Sequence, residues 1–403
     1  MSLYVHVPFC VDKCLYCNFY SVPARLVSDH VKESVLDQTI EQAAFFLDLL
    51  GHDGPLQTIF MGGGTPSTLP RPLLRRLLGS LGRADCEEWT VEANPESIDR
   101  EFLEACQETC VTRISAGVQS TDDRRLRALR RTASSGDILR AVELLRLEWN
   151  GDVNLDFIAG IPGQEPYEVI KDLSLLDELS ASHVSLYSLT YEPNTPLERL
   201  VRRGKVRTNS AEKDEELWFA GVEELERRGF RHYEVSNFCV PGKECVHNLR
   251  YWRLEPYLGA GPGAVSTLPA APLAKALGRP ELAEAGGVLR MSSPKDIRAF
   301  LVGRDGLWGA QFESITPDDF LLETLMMGLR LEEGILSEAF RRRFGADFEE
   351  LFPGVWGSWV ARGDAKPRGD RLAMSDSGRM LLDGLLAEMP HAACERLLRV
   401  TWP

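Results

Sequence analysis

Residues 9–18 read Phe-Cys-Val-Asp-Lys-Cys-Leu-Tyr-Cys-Asn and place Cys10, Cys14 and Cys17 within eight residues of one another. This C-x3-C-x2-C spacing offers three thiolates to one metal centre and no fourth. Four protein thiolates complete the coordination of a [4Fe–4S] cluster. Three leave one iron with an open position, which a catalytic metal needs and a structural metal does not. The stretch therefore predicts a [4Fe–4S] cluster held by these three cysteines.

Two other interpretations of the cysteines stay open, namely a zinc knot and three unrelated buried thiols. Structural zinc takes four ligands, usually as two pairs, and the sequence offers no partner pair with C-x2-C spacing. The number of ligands therefore favours the cluster over zinc.

The composition is typical of a soluble globular protein, and the length predicts more than one hydrophobic core. The chain has 403 residues, 44 % hydrophobic and 26 % charged, with a formal net charge of −14 and a pI near 5.1. This length predicts two or three domains, and the acidic balance argues against nucleic-acid binding. We find no apolar stretch near the ~20 residues that span a bilayer and no signal segment before Cys10. We therefore expect a cytoplasmic protein without stable membrane insertion, and its odd number of cysteines suits reduced thiols.

Six β-type segments in the first half of the chain are each followed by a helical pattern or a Gly/Pro turn. They span residues 3–9, 57–61, 88–92, 112–118, 154–158 and 183–190. Such alternation predicts a parallel sheet whose strands are buried on both faces. Six units are too few for an eight-stranded barrel. We therefore predict an α/β fold built on an open, partial (β/α)6 TIM-like barrel.

Polar and glycine residues cluster at the carboxyl ends of these six segments. In chain order they are the three cysteines, the run Gly62-Gly-Gly-Thr-Pro-Ser67, Glu92, Gln119, Asp156 with Gly160-Ile-Pro-Gly163, and Tyr187. In barrel-type sheets the active site gathers on that rim. Glycines allow close backbone approach to a ligand, and carboxylates in apolar strands need partners. The sequence thus predicts one site shared by six segments, although a tight turn, a helix cap or a structural ion pair would explain single members.

The chain divides by pattern into three regions. Residues 1–191 form the predicted barrel, residues 192–296 an accessory α+β region, and residues 297–403 a small helical, winged-helix-like domain. The accessory region contains a charged helix, the run His247-Asn-Leu-Arg-Tyr-Trp252 and a glycine-rich turn. Histidine is a common metal or haem ligand, but a lone histidine is more often a cap or a core residue.

Taken together, these motifs resemble the radical S-adenosylmethionine (SAM) family that includes oxygen-independent coproporphyrinogen III dehydrogenases and their HemW-type haem chaperone relatives. The segments that carry the resemblance are residues 4–21, 60–66, 90–95, 114–120, 156–163, 232–238, 247–252, 257–266 and 320–335. Nearly the whole chain is therefore covered.

The resemblance implies a radical-SAM barrel, a [4Fe–4S] cluster on Cys10, Cys14 and Cys17, and bound SAM. Reductive cleavage of SAM would yield methionine and a 5′-deoxyadenosyl radical. The residues expected to bind SAM are Tyr4, Phe19, Gly63, Gly64, Thr65, Glu92, Gln119, Arg131 and Asp156. Within this set, Asp156 and Gln119 suit ribose hydroxyls, Glu92 suits the ammonium group, and Arg131 suits a carboxylate of SAM or of a substrate.

The two branches of the family imply different functions. The dehydrogenase branch typically has another cysteine two places after the triad and an N-terminal extension. Here Phe19 stands in that place, and nine residues precede Cys10. Both features favour the chaperone branch, which binds haem and transfers it to client haemoproteins, and residues 247–252 are similar to its proposed haem-binding motif. His247 is accordingly a candidate haem residue.

The alternatives are a dehydrogenase that converts coproporphyrinogen III to protoporphyrinogen and a radical-SAM enzyme with another substrate. Family members often carry histidines near the places of Ala133 and Val265, and these losses weaken the case for decarboxylation. We expect haem or a porphyrinogen as the ligand, client haemoproteins as partners, no nucleic acid, and a monomer or dimer.

Overall fold

The computed structural model of the protein describes residues 1–52, 54–81, 86–283, 287–303 and 306–389. Its strands, in chain order, are β1 (Ser2–Val7), β2 (Phe9–Cys10), β3 (Val22–Pro23), β4 (Thr58–Gly63), β5 (Glu88–Ala93), β6 (Arg113–Gln119), β7 (Asp152–Ala159), β8 (His183–Ser188), β9 (Arg231–His232), β10 (Asn237–Cys239), β11 (Tyr257–Ala260), β12 (Val265–Pro269), β13 (Val288–Ser292), β14 (Gln311–Ile315), β15 (Ile335–Leu336), β16 (Ala365–Arg368) and β17 (Arg371–Met374).

The α-helices of the same residues are α1 (Asp29–Leu49), α2 (Arg71–Leu81), α3 (Arg100–Gln107), α4 (Asp123–Ala128), α5 (Ser135–Glu148), α6 (Pro166–Leu173), α7 (Pro196–Arg202), α8 (Ala211–Arg227), α9 (Val246–Trp252), α10 (Ala270–Leu277), α11 (Ile297–Val302), α12 (Pro317–Gly328), α13 (Ser337–Phe344), α14 (Phe348–Leu351), α15 (Val355–Arg362), α16 (Asp376–Met380) and α17 (Leu382–Ala387). Residues with a known preference for helix N-termini mark the start of several of these helices. Ser134 caps α5 in a reciprocal capping box with Asp137, and Pro166 opens α6 at the position where a missing N–H costs nothing.

Six parallel strands form the barrel in the order β1-β4-β5-β6-β7-β8, each hydrogen-bonded to its neighbour in sequence. The strands are mostly buried because helices cover the outer face, as in other parallel sheets. The predicted partial (β/α)6 barrel is confirmed. Because every strand runs in the same direction, the carboxyl ends of all six meet at one rim.

The sheet continues beyond both ends of the barrel. On one side β11 pairs in parallel with β1, and β12, β13 and β14 add antiparallel strands. On the other side β10 and then β9 follow β8. The described strands of this sheet number 12 in all. Strand β14 lies after residue 297, so the sheet extends into the third region that the sequence pattern defined.

A second hydrophobic core organises the C-terminal domain. Large buried side chains from α12 to α17, among them Phe320, Phe340 and Trp359, pack together. A small antiparallel sheet in the order β15-β17-β16 completes the domain. Helices beside a three-stranded sheet are the elements of the predicted winged-helix-like domain. Within the described ranges, none of the helices has the length and apolar character needed to cross a bilayer.

Candidate radical SAM site

A cavity of about 370 Å³ opens at the rim where the six barrel strands end. Its walls include most of the residues that the sequence singled out. The predicted residues that line it are Cys10, Cys14, Cys17, Phe19, Gly63, Gly64, Thr65, Glu92, Gln119, Arg131 and Asp156. They come from the cysteine loop and from the ends of β4, β5, β6 and β7, together with the segment after α4. The topology therefore brings together residues that are separated by up to 146 positions in the chain.

The cysteine loop is held over the cavity by β2 and β3, which pair in parallel through Phe9 and Cys10. The three thiols are free and partly exposed. Thr65 donates its hydroxyl to the sulfur of Cys10, and Arg131 donates from Nη1 to the sulfur of Cys14, each at 3.6 Å. Burial raises the pKa of the Cys10 thiol and raises that of Cys17 to about 11. These thiols would ionise when iron binds, because a coordinated metal favours the thiolate.

The three cysteines fit a cluster better than a single zinc ion. Structural zinc takes four ligands, and the described lining of the cavity contains no fourth cysteine and no histidine. A cubane cluster instead takes each thiolate on a different iron. Donors beside the sulfurs, from Thr65 and Arg131, are the kind of hydrogen bonds that tune iron–sulfur clusters.

The glycine loop needs its glycines because it touches β1 and the cysteine loop. Gly63 has φ +97°, and a Cβ there would lie 2.3 Å from the ring of His6. A Cβ on Gly64 would lie 2.5 Å from the carbonyl oxygen of Val7. The absence of side chains lets the N–H of Gly64 bond to Val7 at 2.8 Å and the N–H of Thr65 bond to Phe9 at 2.7 Å. The glycine run therefore connects the end of β4 to the end of β1 and to the start of the cysteine loop.

Two carboxylates face the cavity from β5 and β7, the strands on either side of β6. Glu92 accepts from the N–H of Gly63 at 3.2 Å, and burial raises its pKa to about 8, with a further contribution from Asp156. Burial also raises the pKa of Asp156, against hydrogen bonds from Ser115 at 3.1 Å and Asn154 at 2.8 Å. Two acids that share one cavity disfavour each other's ionised form. A cationic group placed between them would reverse this effect.

The Glu92 carboxyl predicts a specific pH dependence of stability. Its pKa in the folded protein, about 8, exceeds its ordinary value of 4.5. Between these values the folded protein keeps a proton that the unfolded chain releases, so the free energy of unfolding decreases as pH rises. We expect Glu92→Gln, measured by urea unfolding without SAM, to lose part of this decrease. Glu101→Gln on α3, an exposed control, should keep the wild-type profile. An unchanged slope in Glu92→Gln would contradict the assignment.

Arg131 places a cation on the wall of the cavity. Its Nη2 donates to the carbonyl of Gly117 at 2.6 Å and to Asn94 at 3.0 Å, while its Nε is buried without a hydrogen-bond partner in the described part of the chain. Gln119 stands beside it with φ +67°, at an irregularity in the pairing of β6 with β7. A non-glycine residue in this conformation is uncommon and is found at sites where backbone strain serves function. The guanidinium of Arg131 and the residue with the strained backbone, Gln119, both border the cavity.

The structure adds residues that the predicted SAM-binding set did not contain. Tyr16 and Ser115 also line the cavity, as do Asn94 and Tyr187, which the sequence placed at strand ends without a role in SAM binding. Tyr16 lies between the second and third cysteines, and this position in the motif was the signal that could have identified it. Phe19, in contrast, is 61 % exposed at the rim. Its aromatic ring is therefore less enclosed than that of Tyr16, whose pKa burial raises.

Two of the predicted residues do not line the cavity. Tyr4 donates or accepts a hydrogen bond with His6 Nδ1 at 3.1 Å and stacks on Phe60, so it supports the first strand from within the barrel. His247 is 1 % exposed, and its Nδ1 pairs with the hydroxyl of Thr58 at 2.8 Å. Burial, followed by the charge of Arg250, lowers the pKa of His247 to about 3. Direct contact between His247 and a large ligand would require α9 to move.

Comparison with known proteins agrees with this geometry. Residues 4–176 match the Radical SAM superfamily, and residues 315–381 match the HemN C-terminal domain. The heme chaperone HemW of Mycobacterium tuberculosis (strain ATCC 25618 / H37Rv) is 34 % identical over 96 % of this chain and 93 % of its own length. The heme chaperone HemW of Escherichia coli (strain K12) is 30 % identical over 96 % and 97 %, and that of Lactococcus lactis is 32 % identical over 87 % of each chain.

Among solved structures, coproporphyrinogen III oxidase (HemN) from Escherichia coli, a radical SAM enzyme, matches with a TM-score of 0.73. The match covers 96 % of this chain and 89 % of that chain at 19 % identity. At this identity the likeness shows the shared fold alone. The barrel and the C-terminal domain of this chain therefore follow the fold of that protein.

Proposed function

This chain belongs to the HemW family and carries its radical SAM domain, and from that premise we propose that it binds haem and transfers it to acceptor proteins. The observation that carries the proposal is the similarity to curated heme chaperones along almost the full length of the chain, at 34 % identity in one case. The cysteine loop supports it, because Phe19 stands where the dehydrogenase branch typically has a further cysteine.

The rim cavity would hold the cluster and SAM. Cys10, Cys14 and Cys17 would each bind one iron and leave the fourth iron for SAM. The cluster, when bound, supplies the electron for reductive SAM chemistry. Glu92 is suited to the ammonium group of SAM, because a cation beside it relieves the cost of ionising this buried carboxyl.

The other polar groups of the cavity suit the remaining parts of SAM. Asp156, held by Ser115 and Asn154, suits ribose hydroxyls. Arg131 suits the carboxylate, since its Nε has no partner in the described chain. Gln119 adds an amide on the same wall, and the backbone of Gly63, Gly64 and Thr65 closes the side nearest the cysteines.

A haem titration tests the proposed function. Anaerobically reconstituted protein should bind haem saturably at low micromolar concentration and then transfer it to an apo-haemoprotein, both followed by absorbance. Incubation with SAM, a reductant and coproporphyrinogen should yield no protoporphyrinogen. Absence of saturable haem binding would refute the chaperone function, and formation of protoporphyrinogen would identify the chain as a dehydrogenase instead.

A further inference from the structure

A second and larger cavity, of about 1250 Å³, separates the barrel from the C-terminal domain. We call it the interdomain cleft. One wall is α8, whose cleft-lining residues recur at helical spacing and include Trp218, Phe219 and Val222. The opposite wall comes from β16 and α16, and the hairpin of β9 and β10 closes one end. Pockets of roughly 300–1,000 Å³ enclose drug-sized molecules, so the cleft has room for a macrocycle.

The two sides of the cleft differ in charge and polarity. The α8 side presents apolar rings flanked by carboxylates such as Glu223 and Glu226. The far side presents Lys366 and two arginines, Arg368 and Arg379, which pair with Glu332 and Asp376 on the same wall, and Arg231 lies at the hairpin. Neither Lys366 nor Arg231 has an ion-pair partner in the parts of the chain that the structure describes. A ligand with one apolar edge and one carboxylate-bearing edge matches this division.

Several buried side-chain atoms of the described residues lack a hydrogen-bond partner, and Arg379 is the residue among them that lines the cleft. Its side chain is 8 % exposed, and its Nη2 pairs with Asp376 at 2.7 Å. Its Nη1 is buried and has no hydrogen-bond partner among the described residues. A buried donor without a partner is costly, and such groups are rare in folded proteins. A carboxylate in the cleft would satisfy this donor with a charge-assisted hydrogen bond.

His232 faces the same cleft from β9. Its Nε2 lies 3.1 Å from the carbonyl oxygen of Val235 and can only donate there. In that tautomer the other ring nitrogen, Nδ1, carries the lone pair that a metal ligand needs. The ring is fixed by stacking on Phe238 at 4.3 Å and by the edge of Trp218. Burial lowers the pKa of His232, and Arg379 adds to this effect, so the ring is held neutral.

From this arrangement we propose that the interdomain cleft is the haem site, with Arg379 binding a propionate and His232 as the axial ligand. The proposal rests on the proposed haem-binding function and assigns it a place. The macrocycle lies against Trp218 and Phe219, and its propionates point to the C-terminal domain. Tyr187, Ser188 and Thr190 line both this cleft and the rim cavity, so bound haem is next to the SAM site.

The cleft is a better site than the surroundings of His247. That imidazole is 1 % exposed and lies between Tyr251 of its own helix and Phe60 of the sheet. His232 borders an open cavity without any movement of the fold. In this proposal residues 247–252 pack α9 against the barrel, and the axial ligand comes from the hairpin of β9 and β10.

Haem titrations of four variants test this assignment. His232→Ala should weaken binding about tenfold and change the absorption spectrum, because the axial ligand is lost. Arg379→Gln should weaken haem binding by a similar factor, about tenfold, but should leave the affinity for haem dimethyl ester unchanged. Met380→Glu, at a side chain that is 58 % exposed in the cleft, should also weaken binding without endangering the fold. His247→Ala should keep the wild-type spectrum of the bound haem.

Matched controls and a fold check complete the experiment. His30→Ala on α1 and Arg140→Gln on α5 lie on exposed surfaces and should bind haem like the wild type. Cluster iron content and circular dichroism identify any variant that fails to fold. If the wild type binds no haem, the proposed function itself fails. If it binds haem but His232→Ala, Arg379→Gln and Met380→Glu bind normally, the function stands and the cleft assignment is overturned.

Discussion

Replacing Cys14 by alanine is expected to leave the protein without a [4Fe–4S] cluster and without SAM cleavage. Two remaining thiolates, on Cys10 and Cys17, cannot hold three irons, and no other cysteine is among the described residues that line the cavity. Iron and sulfide content after anaerobic reconstitution measures the first effect. Formation of 5′-deoxyadenosine in the presence of a strong reductant measures the second.

Cys110→Ala provides the matched control for this experiment. Cys110 is also a free and partly exposed cysteine, but it lies after α3 and away from the rim cavity. The control should keep the full cluster content. A Cys14→Ala variant with as much iron and sulfide as the control would show that the cluster is not held by this triad.

Replacing Glu88 by glutamine is expected to lower the free energy of unfolding by about 3–5 kcal/mol. Glu88 and Arg113 form an ion pair at 3.2 Å, and their side chains are only 6 % and 4 % exposed. The Glu88 carboxylate also accepts from the N–H groups of Val246 at 3.0 Å and His247 at 2.9 Å. The variant would leave the Arg113 charge buried without its counter-ion and would weaken the start of α9.

Urea unfolding of Glu88→Gln and of an exposed counterpart checks this prediction. Glu148 pairs with Arg100 at 2.6 Å on the surface, where water screens both charges. Glu148→Gln should leave the midpoint of unfolding nearly unchanged. Equal midpoints for the two variants would mean that the buried pair contributes no more than the surface pair.

Much of the barrel was predictable because its signals are local. The predicted segment 88–92 becomes Glu88–Ala93, and 112–118 becomes Arg113–Gln119. A strand that is an apolar run followed by a turn can be recognised from its own residues, without knowledge of distant segments. The rim site followed for the same reason: parallel strands in sequential order place their carboxyl ends together. The family suggested by these motifs is confirmed by relatives that match nearly the whole chain.

What the sequence did not reveal depends on contacts between distant segments. Nothing near Tyr257–Ala260 indicates that this strand pairs in parallel with Ser2–Val7. The burial of His247 requires Thr58 and Phe60, nearly two hundred positions earlier, to cover its ring. The cleft that contains His232 and Arg379 exists only where the C-terminal domain meets α8. The sequence shows the types of these residues, but it does not show which distant residues pack against them.

The extension of the sheet has a consequence for solubility. An open six-stranded barrel would leave β1 and β8 with unpaired backbone groups, and such edges promote aggregation. Here β11 and β10 cover them. The outermost described strands are β9, of two residues, and β14, which carries Glu313 in its centre. A very short edge strand and a charged edge strand are both poor templates for pairing with another chain. The barrel can therefore stay open to ligands without exposing an edge that promotes aggregation.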